Sequence, residues 1–217
     1  MAKPILYSSW SSSSSSRVRI ALALKKVDYV YRTTAIRGVM TDEQRADFYK
    51  NNPARRVPIL KINGATLTES MAIIEYLDEV FPEPPLLPKD PEQRAHARAI
   101  AFHITSNIQP IQNLSVTRML DEKEAGFGNE CAVRTFITGF TSLEQLLEMY
   151  SGKFCVGDQL TVADLCLSSM VYNATMKFHV DITPFPIISR IQKTLAGIAE
   201  FQEAHPDRQP DAPNRKS

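Results

Sequence analysis

The chain has 217 residues, 43% of them hydrophobic, with 25 basic and 24 acidic side chains and a net charge of +1. That is enough apolar material for a real core in one or two domains. Balanced charge without a basic run excludes a general nucleic-acid binder and a polybasic membrane anchor, and no apolar stretch approaches the ~20 residues of a membrane span. No basic-then-apolar leader opens the sequence. Cys131, Cys155 and Cys166 form no CxxC pair, which argues against a disulfide framework or a zinc site. The expectation is a cytoplasmic protein with reduced, packed thiols and no metal.

"KPILYSS" (3–9) predicts a buried strand, "RVRIALALKK" (17–26) a helix, and "DYVYRTT" (28–34) a second, β-rich strand. Together these make a βαβ unit. "TDEQRADFYKNN" (41–52) predicts a polar surface helix capped by Thr41 or Asp42. In "RRVPILKINGATLTES" (55–70), Asn63-Gly64 between β-prone segments signals a hairpin, and Pro58 stands where a strand begins. "MAIIEYLDEVF" (71–81) carries its apolar residues on one helical face. "FPEPPLLPKDP" (81–91) then holds five of the fourteen prolines and reads as an ordered linker. Helical patterns follow over 94–120, broken or kinked at Pro110, then over 132–149, 161–176 and 186–195, with a last turn near Phe201. "TVAD" (161–164) resembles a capping box with Asp in the place of Glu. The tail from Pro206 is expected to lie extended. This order gives an α/β domain of thioredoxin-like topology over 1–82, a linker over 83–91, and an all-helical domain over 92–217.

The six serines of 11–16 join a strand end to a helix start. The first turn of a helix has unsatisfied N–H groups and the positive end of the dipole, so it favours an anion. Arg17 and Arg19 are expected to add charge there. Two readings stand: one serine caps the helix and the rest fill the loop, or the run binds an anion. No His or Asp partner for a serine nucleophile can be read. The fold order favours a cis Val57-Pro58 bond, an ordinary trans proline being the other reading. Ser70 either caps the next helix or holds a carboxylate there. In the latter case Glu69 pairs an ammonium, which suits the α-amino-acid end of a ligand. His96, His103, His179 and His205 show no ligand spacing.

"SSSSSSRVRIALALKKVDY", "NPARRVPILKINGATLTESMAIIEYLDE", "PLLPKDPEQRAHARAI", "IQPIQNLSV", "VGDQLTVADLCL" and "AHPDRQPDAP" closely resemble the zeta-class glutathione transferases, the maleylacetoacetate isomerases of tyrosine and phenylalanine breakdown. The resemblance covers 3–213. It implies a thioredoxin-like domain followed by a helical one, a homodimer, glutathione as cofactor and a small anionic substrate. It implies that the Val57 backbone pairs with the cysteinyl part of glutathione, beside Arg56 and ahead of a cis Pro58. Glu69 and Ser70 would hold the γ-glutamyl end. Gln109, Asn113 and Ser115 would face the cleft from the helical domain. The family's "SSCSWRVR" falls on Ser12, Ser13, Ser14, Ser15, Ser16 and Arg17. Here Ser14 replaces the loop cysteine, Ser16 a tryptophan and Ser11 an arginine. Arg56 stands for the usual glutamine, and Lys177 for a cleft arginine, keeping charge without the bidentate fork.

The implied reaction needs a thiolate to add to a cis double bond, allow rotation and leave. A thiol of ordinary pKa is only about 3% ionised at neutral pH, and lowering it by about two units takes about 2.7 kcal/mol. Charged hydrogen bonds contribute roughly 1.5–3 kcal/mol, so one serine hydroxyl with helix N–H groups suffices. Ser12 is the expected donor with Ser13 in support, while Arg17 and Lys177 are the candidates for substrate carboxylates. A transferase acting on small electrophiles such as α-halo acids is a second expectation. A glutathione-binding paralogue with altered or lost isomerase activity, motivated by Ser11, Ser14, Ser16, Arg56 and Lys177, is the third.

Overall fold

The computed structural model describes residues 2–34 and 40–213. The chain divides into two compact units, one running to Pro84 and resuming at Ile198, the other Pro85–Gly197.

The first unit runs β1 Ile5–Ser8, α1 Ser13–Leu24, β2 Val30–Thr33, α2 Asp42–Asn51, β3 Ile59–Ile62, β4 Ala65–Thr68 and α3 Ser70–Val80. Its sheet has the order β2-β1-β3-β4, with β1 parallel to β2 and antiparallel to β3, and β3 antiparallel to β4. The parallel pair needs a crossover, and α1 provides it. Asn63 and Gly64 both take positive φ (51° and 81°) between paired Ile62 and Ala65, the two-residue turn their sequence signals. This four-stranded mixed sheet with its helices is the thioredoxin-like fold. Leu6, Val18, Leu22, Ile59, Leu60, Ile73, Ile74 and Leu77 form its dry interior, α1 packing beside α3. The Tyr7 hydroxyl donates to Asp47 and ties α2 to the sheet; that bond holds the Asp47 carboxyl below its usual range.

The helix expected over 17–26 begins four residues earlier. Ser13 to Ser16 are therefore its first turn and Ser12 its cap, not a loop before it, and Arg17 and Arg19 lie beyond that turn. Serine is only modestly worse than alanine inside a helix and among the best residues at its start.

The second unit is helical: α4 Pro91–Phe102, a π-helical turn His103–Ile108, α5 Leu114–Asp121, α6 Phe127–Tyr150, α7 Val162–Phe178 and α8 Pro186–Ala196. The helical pattern over 94–120 is broken at Pro110, as expected, into α4, the π turn, an irregular turn around Pro110, and α5. Proline cannot donate to a preceding carbonyl, so the chain leaves the helix there. Phe136 packs against Phe140 and Phe178, and Phe140 against Phe185. Asp164 reaches back to the Thr161 N–H (2.8 Å), the capping contact that "TVAD" signals.

The units divide inside the proline segment, between Pro84 and Pro85, and the helical unit ends at Gly197. The tail was expected with the helical domain and extended. The last turn expected near Phe201 is α9 Ala199–Glu203, packed against α1, and from Pro206 the tail makes a 3₁₀ turn, Pro206–Arg208, in place of an extended run. Its polar groups find partners there, as Gln209 donating to the Glu203 and His205 carbonyls illustrates. Cys155 and Cys166 are buried and Cys131 half-buried, all three as thiols. Among the described residues no helix is long and apolar enough to cross a membrane.

Candidate active site

Strand register decides which loops meet. Ile59 pairs with Tyr7 on one side and Thr68 on the other. The chain therefore leaves β1, arrives at β3 and leaves β4 all at one end of the sheet. The serine run, Val57-Pro58 and Glu69-Ser70 are the three segments at that end. In sequence they are separated by forty residues or more, or by a whole hairpin; the pairing alone brings them together.

At the first segment Ser12 is the N-cap of α1, extended at φ −84° and ψ 118°, and its hydroxyl oxygen accepts the Ser15 N–H at 3.2 Å. Accepting that bond leaves the hydroxyl proton to donate outward, and polarises it for doing so. Ser12 and Ser14 stay partly exposed, while Ser11, Ser13, Ser15 and Ser16 are buried. A bound group thus reaches the Ser12 hydroxyl and the Ser14 side chain, whereas Ser13 offers chiefly its backbone at the helix start. Arg17 is 1% exposed, its Nε reaching the Ser13 carbonyl at 3.5 Å. Its charge adds to the positive end of the α1 dipole.

Ser15 is a different case. Its hydroxyl is fully buried and has no hydrogen-bond partner among the described residues. An unsatisfied buried hydroxyl costs about 1–3 kcal/mol. Ser15→Ala, which keeps the capped N–H, is expected to raise the thermal midpoint, equivalent to about 1 kcal/mol; a lowered midpoint would show that the hydroxyl has a partner in solution.

At the second segment the β3 ladder starts at Ile59, so the Val57 amide and carbonyl lie outside it. The Val57-Pro58 bond is cis. Buried Asn52 pins the approach, accepting the Ala54 N–H (2.9 Å) and donating to the Arg56 carbonyl (2.7 Å). Arg56 itself is exposed. Asn52 was not foreseen; an Asn-Pro step is a turn signal, and that was the only clue.

At the third segment Ser70 does not cap α3. It is the first helical residue, and exposed Glu69 holds the cap position at φ 64° without a capping bond from its side chain. A non-glycine residue in this left-handed region stores about 1–3 kcal/mol of strain, which elsewhere clusters at ligand sites. Buried Ser70 then presents its hydroxyl and N–H at the positive end of α3.

In the second unit, Gln109, Asn113 and Ser115 come together in the turn between the π helix and α5. Gln109 is half-buried and its N–H closes on Ile104 (2.9 Å). Asn113 is the α5 N-cap, its side chain not capping, and Ser115 is exposed in the first turn. Buried Asn173 of α7 donates to Gln112 of this turn (3.0 Å). Lys177, half-buried in the last turn of α7, is four residues on from Asn173 and shares its face. The Asn173–Gln112 bond was also missed; an Asn in mid-helix among apolar residues was its signal.

Residues 6–85 match the family model "Glutathione S-transferase, N-terminal domain" and 115–203 match "Glutathione S-transferase, C-terminal domain". The chain is 51% identical over 209 residues to a probable maleylacetoacetate isomerase of Caenorhabditis elegans, covering 96% of each chain. It is 46% identical over 213 residues to the maleylacetoacetate isomerase of Rattus norvegicus, covering 97% of this chain and 96% of the relative. The chain belongs to the zeta-class glutathione transferases. A solved structure of this family, the maleylacetoacetate isomerase of Anaeromyxobacter dehalogenans with glutathione in its active site, superposes with a TM-score of 0.86 at 42% identity, covering 97% of this chain and 98% of that one. The same enzyme has been solved with dicarboxyethyl glutathione and citrate in the active site.

The residues present fit the zeta-class cofactor. A polarised hydroxyl on a helix start, a Val57 backbone outside the sheet ladder, and a second helix start bearing Ser70 are donors and acceptors matched in kind to a thiolate, a peptide unit and a carboxylate.

Proposed function

We propose that this protein catalyses the glutathione-dependent cis–trans isomerisation of maleylacetoacetate to fumarylacetoacetate, with glutathione transfer to small electrophiles such as α-halo acids as a side activity. One observation carries the reading: the register of β1, β3 and β4 gathers the Ser12 helix cap, the Val57 backbone and the Ser70 helix start at one end of the sheet. Glutathione, when bound, supplies a thiolate that is regenerated when the double bond reforms. Ser12 donates its hydroxyl proton to the sulfur, with the Ser13 backbone N–H in support, and so keeps the thiolate form populated at neutral pH. The Val57 backbone orients the cysteinyl unit, and Glu69 and Ser70 fix the γ-glutamyl end. Gln109, Asn113 and Ser115 serve the cofactor from the helical unit. Arg17 and Lys177 supply positive charge for an anionic substrate; the dicarboxyethyl glutathione and citrate in the Anaeromyxobacter dehalogenans enzyme support that class.

Ser14 favours a second reading. It is one of the two partly exposed serines of the run, at the position of the family's loop cysteine. Ser14 leaves the cofactor's own nucleophile in place, so isomerisation is expected to persist. Assaying maleylacetoacetate with and without glutathione separates the cases. Turnover only with glutathione supports isomerase function, conjugation alone points to a general transferase, and binding without either reaction points to a paralogue with lost activity. A cytoplasmic location, resting on the cysteine pattern, and a homodimer, resting on the family resemblance, complete the proposal; cell fractionation and sedimentation test them.

A further inference from the structure

β1 ends at Ser8 and the cap of α1 is Ser12, so the turn of Ser9, Trp10 and Ser11 sets where Ser12 stands. The Ser12 N–H closes that turn on the Ser9 carbonyl at 3.1 Å. Inner peptide groups of a turn have no ladder partners and must find others. Here side chains take them. The Trp10 N–H donates to Asp211 Oδ2 at 3.0 Å. The Trp10 carbonyl accepts from Arg19 Nη2 (3.3 Å) and the Ser9 carbonyl from Arg19 Nη1 (3.2 Å). Arg19 is 1% exposed, and its Nε donates to the Ala204 carbonyl at 3.2 Å. The other oxygen of Asp211 accepts the Tyr31 hydroxyl at 2.6 Å, and Tyr31 is paired with Leu6 across β2 and β1. Burial first, then the Asp211 bond, pushes the Tyr31 phenol far above its usual range, so it remains a donor through any working pH. The last described residues of the chain thus reach back and hold the backbone two residues ahead of Ser12.

We propose that Asp211 is a positioning residue for the Ser12 hydroxyl, fixing the turn that aims it at the glutathione sulfur. This rests on the role given to Ser12 above. Displacing a catalytic group by about 1 Å can cost about a hundredfold in rate. A carboxylate that locks one of the two inner amides of a three-residue turn controls displacements of that size. Asp211 touches neither cofactor nor substrate; it acts through the Trp10 amide.

The test follows the thiolate absorbance of bound glutathione with pH, together with glutathione affinity and kcat, in wild type, Asp211→Ala, Asp211→Asn and Tyr31→Phe. In Asp211→Ala the thiol pKa is expected to rise by about one unit and kcat to fall roughly tenfold. Glutathione affinity should hold within about threefold, since the α3 helix start still binds the γ-glutamyl end. Tyr31→Phe leaves the carboxylate on Trp10 and should shift the pKa less. If Asp211→Ala does not fold, Asp211→Asn and Tyr31→Phe carry the same comparison. A lower melting point with thiol pKa and kcat unchanged would make the tail merely structural and overturn the proposal. An unlowered thiol pKa already in the wild type would overturn the role of Ser12, and this proposal with it.

Discussion

Ser12→Ala is expected to cut isomerase turnover at neutral pH ten- to a hundredfold and to move the acid limb of the pH–rate profile up by about two units. At saturating glutathione a thiol lowered by two units is mostly ionised, whereas an ordinary one is about 3% ionised, a loss of roughly 25-fold. A more basic thiolate is intrinsically the better nucleophile, which returns part of that. Loss of the bond that aims the sulfur works the other way. The sign on pH is fixed: activity of Ser12→Ala rises toward that of the wild type as pH passes the free thiol pKa. Because Ser12 also caps α1, alanine should cost about 1 kcal/mol of stability as well. Two further variants separate the effects. Ser12→Asp caps as well as serine but puts a negative charge beside the sulfur, so stability should stay and activity fall. Ser12→Thr keeps a hydroxyl and should keep most of both. A wild-type pH profile in Ser12→Ala would remove Ser12 from the chemistry.

Much of this was legible in the sequence where one residue type settles one local geometry. Asn63-Gly64 demanded positive φ twice and took it. Pro110 ended a helix. "TVAD" closed on itself through Asp164. Sequence failed where the deciding partner lay far along the chain. The serine run read as a loop because six hydroxyls carry no periodicity; its helical state shows only with the Ser12 cap in place. Arg19 read as a charge in the helix's first turn, yet its guanidinium is buried against Ser8, Ser9, Trp10 and Ala204, the last of these 185 residues away. The tail read as extended because its proline content was visible and the carboxylate contact of Asp211 was not. Glu69 gave no local sign of its left-handed backbone, since strain of that kind is imposed by the surrounding fold.

Asp164 carries the largest stability effect. Its carboxylate is fully buried and accepts three bonds: the Thr161 N–H at 2.8 Å, the Thr161 hydroxyl at 3.1 Å and the Cys155 N–H at 2.9 Å. Thr161 begins α7, and Cys155 lies in the loop that leads to it, so one side chain joins a helix start to its approach. Asp164→Ala leaves two buried backbone N–H groups without acceptors at about 1–3 kcal/mol each and opens a cavity, for a total of about 3–5 kcal/mol. Against a whole-protein stability of about 5–15 kcal/mol this is enough to deplete the folded enzyme in cells. Burial outweighs the three bonds and raises the Asp164 pKa above its ordinary value. The native state therefore keeps this proton to higher pH than the unfolded chain does. Between the ordinary carboxylate pKa and the raised one the unfolded state binds fewer protons, so this group's contribution falls as pH rises. Asp164→Asn should erase that slope while sparing part of the bonding. Thermal midpoints of wild type, Ala and Asn variants across the acid range measure both effects, and equal midpoints for wild type and Asp164→Ala would show that solvent or a rearranged loop satisfies the Thr161 and Cys155 amides.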